Sequence, residues 1–206
     1  MRELAVWMVL VVLALPGSAA AKITKARPLQ SGQTASLGAP GDAKKGVARS
    51  YADLGNGVIK DQKTGLFWEQ KSDDGSIHDK DDAYTWTTGD PWEANGTAFT
   101  VFLAALNTPP CFGGFCDWRV PTIMELRTIV DYGRSNPSVP TVFDAACTPG
   151  CTSTTCGCTR TDNHWSSTSF QVSSNYAWIK SFGTGYDGTL LKSGTACVRA
   201  VRGGAN

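Results

Sequence analysis

The chain has 206 residues with nineteen basic and eighteen acidic side chains, a formal net charge of +1. So even a balance argues against a nucleic-acid binder, which usually carries a strong basic excess. Seven cysteines in one short chain point to a disulfide framework in an oxidising compartment, and their odd number leaves at least one thiol outside it.

The chain opens as a secretory signal peptide. Arg2 supplies a positive start, Leu4 to Leu15 is an almost unbroken apolar run, Pro16 and Gly17 break it, and Ser18 to Ala21 are small residues for a signal peptidase. The run is shorter than the roughly 20 residues a membrane span takes. Cleavage is expected after Ala20 or Ala21. Residues 1–21 are thus assigned as signal peptide, 22–50 as a flexible N-terminal arm poor in core-forming residues, and 51–206 as one folded domain. No later stretch is apolar enough to cross a bilayer.

Order begins near Tyr51. Asn56-Gly57 and Lys63-Thr64-Gly65 are turn signals around Val58-Ile59 and Leu66-Phe67-Trp68, which predicts a short hairpin. Lys71 to Asp82 reads as a charged loop. Thr97 to Asn107 carries Phe99, Phe102, Leu103 and Leu106 on one helical face. A second helix follows Thr122, with Glu125 completing a capping box and Ile123, Leu126, Ile129 and Val130 forming the buried face.

From His164 onward the pattern changes to strands. Trp165 to Phe170, Tyr176 to Phe182, Gly188 to Lys192 and Ala196 to Arg202 are separated by Ser, Asn and Gly clusters, and predict an antiparallel sheet. Tyr176, Trp178, Lys180 and Phe182 fall on one face of their strand, with Ile179 on the other. The expected class is α+β: two helices packed on a twisted antiparallel sheet, with disulfides.

The chemistry-bearing residues are few. Cys147, Cys151, Cys156 and Cys158 have three, four and one residues between them. Structural zinc sites usually use wider paired spacings, so two disulfides are the expectation, with the pairing order open. Cys111 and Cys116 bracket a Gly-Gly loop that allows a third. Cys197 remains, read as a buried inert thiol. The two histidines, His78 and His164, have no nucleophile as a sequence neighbour, so acid–base catalysis is poorly supported. Asp73, Asp74, Asp79, Asp81 and Asp82 read as a solvated acidic loop and not as a calcium site, because the spacing is not that of an EF-hand. No metal, cofactor or catalytic residue is assigned.

The last third offers polar loops, aromatic rings and the cations Lys180, Lys192, Arg199 and Arg202. Ring stacking and charge-assisted hydrogen bonds are what recognition of a sugar or sulfated glycan uses. The candidate ligand residues are Gln171, Ser173, Asn175, Tyr176, Tyr186, Asp187 and Lys192.

Taken together, Tyr51 to Lys71 (YADLGNGVIKDQKTGLFWEQK), Asp117 to Tyr132 (DWRVPTIMELRTIVDY), His164 to Thr168 (HWSST), Tyr176 to Phe182 (YAWIKSF) and Val198 to Gly203 (VRAVRG) resemble the Lcl C-terminal domain family, named for the end of a bacterial collagen-like adhesin. The resemblance implies a C-type-lectin-like fold. The stretch Trp118 to Glu125 is also similar to one in formylglycine-generating enzymes. Adhesin members of the family imply a secreted, periplasmic or cell-surface module that binds carbohydrate or sulfated polysaccharide, without enzymatic activity. The alternatives are a thiol-dependent oxidase of the formylglycine-generating type and a structural envelope protein without ligand. The chain departs from the family at Asn56, where Asp is frequent, and at Lys180, where an apolar residue is usual. Residues 22–50 hold no collagen-like repeat, so trimerisation is not carried over. Asp117, Arg119, Thr122, Glu125, Trp165, Arg199 and Arg202 are expected to cap, pair and pack.

Overall fold

The computed structural model describes residues 28–33 and 46–204. The segment read as a signal peptide, residues 1–21, and much of the segment read as an arm lie outside them. Two pieces of the arm lie against the domain. Leu29 bridges Val47, Arg49 Nη1 donates to Thr128 O at 2.6 Å, and Tyr132 N donates to Ser31 O at 2.8 Å.

The hairpin forms where its turns predict it. Strands β1 (Tyr51–Asp53), β2 (Val58–Asp61) and β3 (Leu66–Glu69) run antiparallel. Gly57 sits at φ +83°, where a Cβ would come within 2.7 Å of the Phe112 ring, so the turn needs glycine for both conformation and space. Strand β4 (Tyr84–Thr85) precedes the first helical segment, which is wound as a π-helix over Ala98–Leu103 and continues as α1 (Ala104–Asn107). Phe102 and Leu106 are buried, and Phe99 and Leu103 pack beside them, as the spacing requires. Helix α2 (Ile123–Thr128) has the full capping box: Thr122 Oγ1 accepts from Glu125 N at 3.2 Å, and the Glu125 carboxylate accepts from Thr122 N at 2.8 Å.

The C-terminal strands do not make one sheet, which corrects the expectation of a single one. Strands β5 (Asn163–Ser169), β6 (Tyr176–Ser181) and β7 (Asp187–Leu191) form a three-stranded antiparallel sheet. The last predicted strand divides. Strand β8 (Thr195–Ala196) pairs with β4, and β9 (Val201–Gly203) pairs with β3. Between them Cys197 to Ala200 is wholly buried and threads the interior. Its backbone bonds go to successive partners: Cys197 N to Asn163 O, Trp165 N to Cys197 O, and Glu69 N to Ala200 O. A buried chain must satisfy each such group, and here strands β5 and β3 do it.

Two apolar clusters result. Val58, Trp86, Phe102, Trp118, Trp165, Ala177 and Ile179 belong to one; Ile59, Trp68, Leu126, Val130, Phe143, Phe182 and Val201 to the other. Val58 and Ile59 are sequence neighbours on β2, and their opposite pleats put one in each cluster. Each fully buried large side chain contributes about 1.5–3 kcal/mol.

Three disulfides staple the loops: Cys111–Cys116, Cys147–Cys158 and Cys151–Cys156. Of the orders left open for the four clustered cysteines, the nested one is present. Cys197 is a free, buried thiol. No helix among the described residues is long and apolar enough to cross a membrane.

Candidate ligand surface

Strand β6 sets the geometry. Its pairing with β7 places Tyr176 opposite Leu191, Trp178 opposite Thr189 and Lys180 opposite Asp187. Cross-strand partners share a face, so these six line one side. Ala177 and Ile179 line the other and are buried in the core. The core side of β6 takes the small Ala177 beside Trp165, and Tyr176 and Trp178 are left partly exposed.

The outer face has two ends. At one, Lys180 is fully buried: its Nζ donates to Gly185 O and Asp187 Oδ1, both at 2.7 Å, and lies 5.8 Å from the centre of the Tyr132 ring. Arg127 Nε adds a bond to Asp187 Oδ2 at 2.8 Å. Asp187 is therefore neutralised by two cations. At the other end Phe170 meets Trp178 edge-to-face, with ring centres 5.5 Å apart and planes at 83°. The adjoining loop is tightly folded: Ser173 N donates to Phe170 O, Tyr176 N to Ser173 O, and Ser173 Oγ to Asn175 Oδ1. Gln171 and Val172 are exposed at its tip, Val172 at 83%.

The seven candidates thus separate. Gln171, Ser173, Asn175 and Tyr176 share the turn between β5 and β6 whose Phe170 packs on Trp178. Tyr186 is 65% exposed, but its ring lies over Gly188 on the side of Ile179, opposite Tyr176. Asp187 is held in its ion pairs. Lys192 is only 3% exposed, with Nζ 3.9 Å from the centre of the Trp86 ring and 3.1 Å from Trp92 O. The basic surface expected in this region is therefore absent. Lys180, Lys192 and Arg199 are buried, and Arg202 is paired with Asp117 through Nε and Nη2. Sequence reasoning passed over Trp178 and Phe170 as ligand candidates. The signal that could have found them was the small Ala177 between two large rings, which fits a crowded inner face.

Elsewhere the titratable groups are committed to structure. Glu69 is fully buried; burial works against its charge, but Lys71, His78 and the Ala200 N–H outweigh it and hold its carboxyl below the usual range. Lys71, read as part of a solvated loop, is buried with Nζ 3.2 Å from Glu69 and 4.8 Å from the centre of Phe102. In the same loop Asp73 and Asp81 both accept from Lys80 Nζ, at 3.0 and 2.7 Å. His164 is buried, donates from Nδ1 to Asp162 O at 3.0 Å, and is pushed down to about 3 by burial and by Arg199. Cys197 lines a small polar cleft of about 210 Å³ with Asp81, Arg160 and Asp162. Burial pushes its thiol up to about 11, the opposite of what a reactive thiolate needs.

Fold and surface together define a small α+β domain, stapled by three disulfides, whose partly exposed rings stand beside an uncharged polar loop. The chain belongs to the Lcl C-terminal domain family, whose model matches residues 57–202. Comparison with curated proteins finds none that matches.

Proposed function

We propose that this domain is an exported surface module that binds carbohydrate, and that its ligand face is uncharged. The observation that carries the reading is Trp178: a partly exposed indole on a rigid sheet, buttressed edge-on by Phe170 and bordered by Tyr176 and the Gln171 to Asn175 loop. An aromatic face stacks on the C–H face of a pyranose, and side-chain amides and hydroxyls meet its hydroxyl groups. The sequence from Phe170 to Trp178 contains no charged residue. Sulfated polysaccharide, the ligand implied by the family resemblance, would want cations here, and the nearby ones are buried or paired.

Family membership supports the C-type-lectin-like fold and an adhesin-like role at the cell surface or in the periplasm. The signal sequence and disulfides agree with that compartment. Binding, not catalysis, is the role proposed. The thiol-dependent oxidase alternative has a single free thiol, Cys197, and it is buried with a raised pKa.

A glycan array probed with the mature, disulfide-bonded protein tests this. Trp178→Ala should weaken binding at least about tenfold, or ~1.4 kcal/mol, while raising salt changes it little. Binding that ignores Trp178→Ala and collapses with salt would move the site to a charged surface. No glycan binding at all would put a structural or protein-binding role ahead.

A further inference from the structure

We propose that Cys147, Cys151, Cys156 and Cys158 form a redox-gated site for a soft divalent cation such as zinc: reduced, the four thiolates hold the ion; oxidised, the same sulfurs close the two nested disulfides.

The geometry across the two disulfides carries this. Cys158 Sγ lies 3.6 Å from Cys151 Sγ and 3.7 Å from Cys156 Sγ. The ligand atoms of Cys147, Cys151 and Cys158 all fall within 4.8 Å of one another. A tetrahedral zinc tetrathiolate with bonds of about 2.3 Å has sulfur–sulfur edges of about 3.8 Å. The contacts between the disulfides therefore already have the length of ligand–ligand edges. The edges within them open on reduction, when each sulfur is free to turn about its Cα–Cβ bond.

The backbone that carries the sulfurs is held by bonds other than the disulfides. Cys158 N donates to Lys71 O, Asp73 N to Cys151 O, Gly150 N to Asp73 O and Gly157 N to Ala145 O. None of these bonds runs through a sulfur, so breaking the disulfides does not by itself remove them.

A second observation concerns charge. Beside Cys158 the protein buries two cations, Lys71 and Arg199, against one carboxylate, Glu69. Glu69 bonds to Lys71 and His78 through its side chain. Arg199 donates only to neutral acceptors, namely Glu69 O, Cys158 O and Thr159 Oγ1, and its Nε has no partner among the described residues. Asp144 is near enough to feel this charge but accepts from Thr159 N. Burial works against the guanidinium charge, and Glu69 and Asp144 favour it only from beyond hydrogen-bonding contact. A tetrathiolate zinc centre carries two negative charges and would add to the field that Glu69 and Asp144 already supply to Arg199.

The chemistry balances with an external dithiol as reductant. Its thiolate attacks the partly exposed Cys147 or Cys151, the buried partner sulfur leaves with the electron pair, and the second thiol of the reagent closes its own disulfide. Two such reagents yield four protein thiols. Binding of the cation then releases four protons to solvent.

The test uses the full mature chain carrying Cys111→Ser, Cys116→Ser and Cys197→Ser, so that only the four clustered cysteines remain. After reduction with a phosphine, cobalt(II) should bind one per chain with the visible bands of tetrahedral thiolate coordination, and zinc should displace it. A further Cys158→Ser change should abolish stoichiometric binding. If the reduced apoprotein loses structure, adding zinc should restore the native far-ultraviolet circular dichroism. Absence of thiolate bands, full retention of them in Cys158→Ser, or reduced protein that zinc cannot refold would overturn the proposal.

Discussion

Glu125 ties Arg119 to the start of helix α2. One oxygen accepts from Arg119 Nη2 at 2.5 Å; the other accepts from Arg119 Nη1, from Thr122 N and from Thr122 Oγ1 at 2.8, 2.8 and 3.0 Å. Arg119 in turn bridges to Val201 through paired backbone bonds. The carboxylate therefore links the helix to the strand that closes the N-terminal sheet. Burial disfavours its charge, but Arg119 and Thr122 more than compensate and depress its pKa. Glu125→Ala should cost about 1–2 kcal/mol, chiefly through the lost cap, since the partly exposed ion pair is screened. Urea unfolding at neutral pH measures this, and Glu125→Gln should recover only part of the loss.

His164 makes stability depend on mildly acidic pH. Its folded-state pKa of about 3 lies below the ordinary 6.5. The unfolded chain thus takes up the proton first. The stabilising contribution is complete above about pH 6.5 and declines as pH falls towards 3. About 2 kcal/mol should be lost between pH 6.5 and 5, at ~1.4 kcal/mol per unit. Glu69, a carboxylate with a depressed pKa, loses its contribution only at lower pH. Denaturant titrations of wild type and His164→Asn across this range should show the slope in the former and its near absence in the latter. Equal slopes would sink the assignment.

How much was legible in the sequence depended on whether the deciding interaction was local. Thr122 and Glu125 are three residues apart, and their capping box could be read directly. So could the hairpin turns and the pairing of Cys111 with Cys116. The fate of Lys192 could not be read, because the carbonyl that accepts its hydrogen bond belongs to Trp92, 100 residues away. A lysine in a strand reads as exposed until its distant partner is known. The same applies to the division of the last strand: Ala196 and Val201 are close in sequence, yet pair with β4 and β3, whose own placement depends on the rest of the fold. Which residues share a face of β6 was legible from alternation, but which face is inner was not, because that depends on Trp165 packing from another strand.

The Cys111–Cys116 disulfide should matter more than its short loop suggests. Closing so small a loop is worth about 2 kcal/mol in chain entropy. The loop also presents Phe112, which stacks on His78 with ring centres 4.0 Å apart and accepts at its carbonyl from Trp118 Nε1 at 2.9 Å. Cys111→Ala/Cys116→Ala should therefore lower stability by about 2–3 kcal/mol. Differential scanning calorimetry checks this. A loss well under 1 kcal/mol would show that the Phe112 contacts hold the loop without the bond.

Lys192 and Trp178 should respond to substitution in opposite ways. The Lys192 ammonium rests on the Trp86 ring and donates to Trp92 O, and its stem is enclosed. Lys192→Ala removes a cation–π contact, strands a carbonyl and opens a void, at a combined cost of about 2–3 kcal/mol. Lys192→Met keeps the stem and should cost about half as much. Neither should weaken a glycan held at Trp178, once the protein is folded at the assay temperature. Trp178→Ala removes a partly exposed ring, should lower the melting temperature only slightly, and should abolish most of the binding. Paired melting curves and binding isotherms for the three variants give a direct comparison. If Lys192→Ala leaves the melting temperature intact and removes binding, the amine reaches the ligand, and its enclosure between Trp86 and Trp92 does not describe the protein in solution.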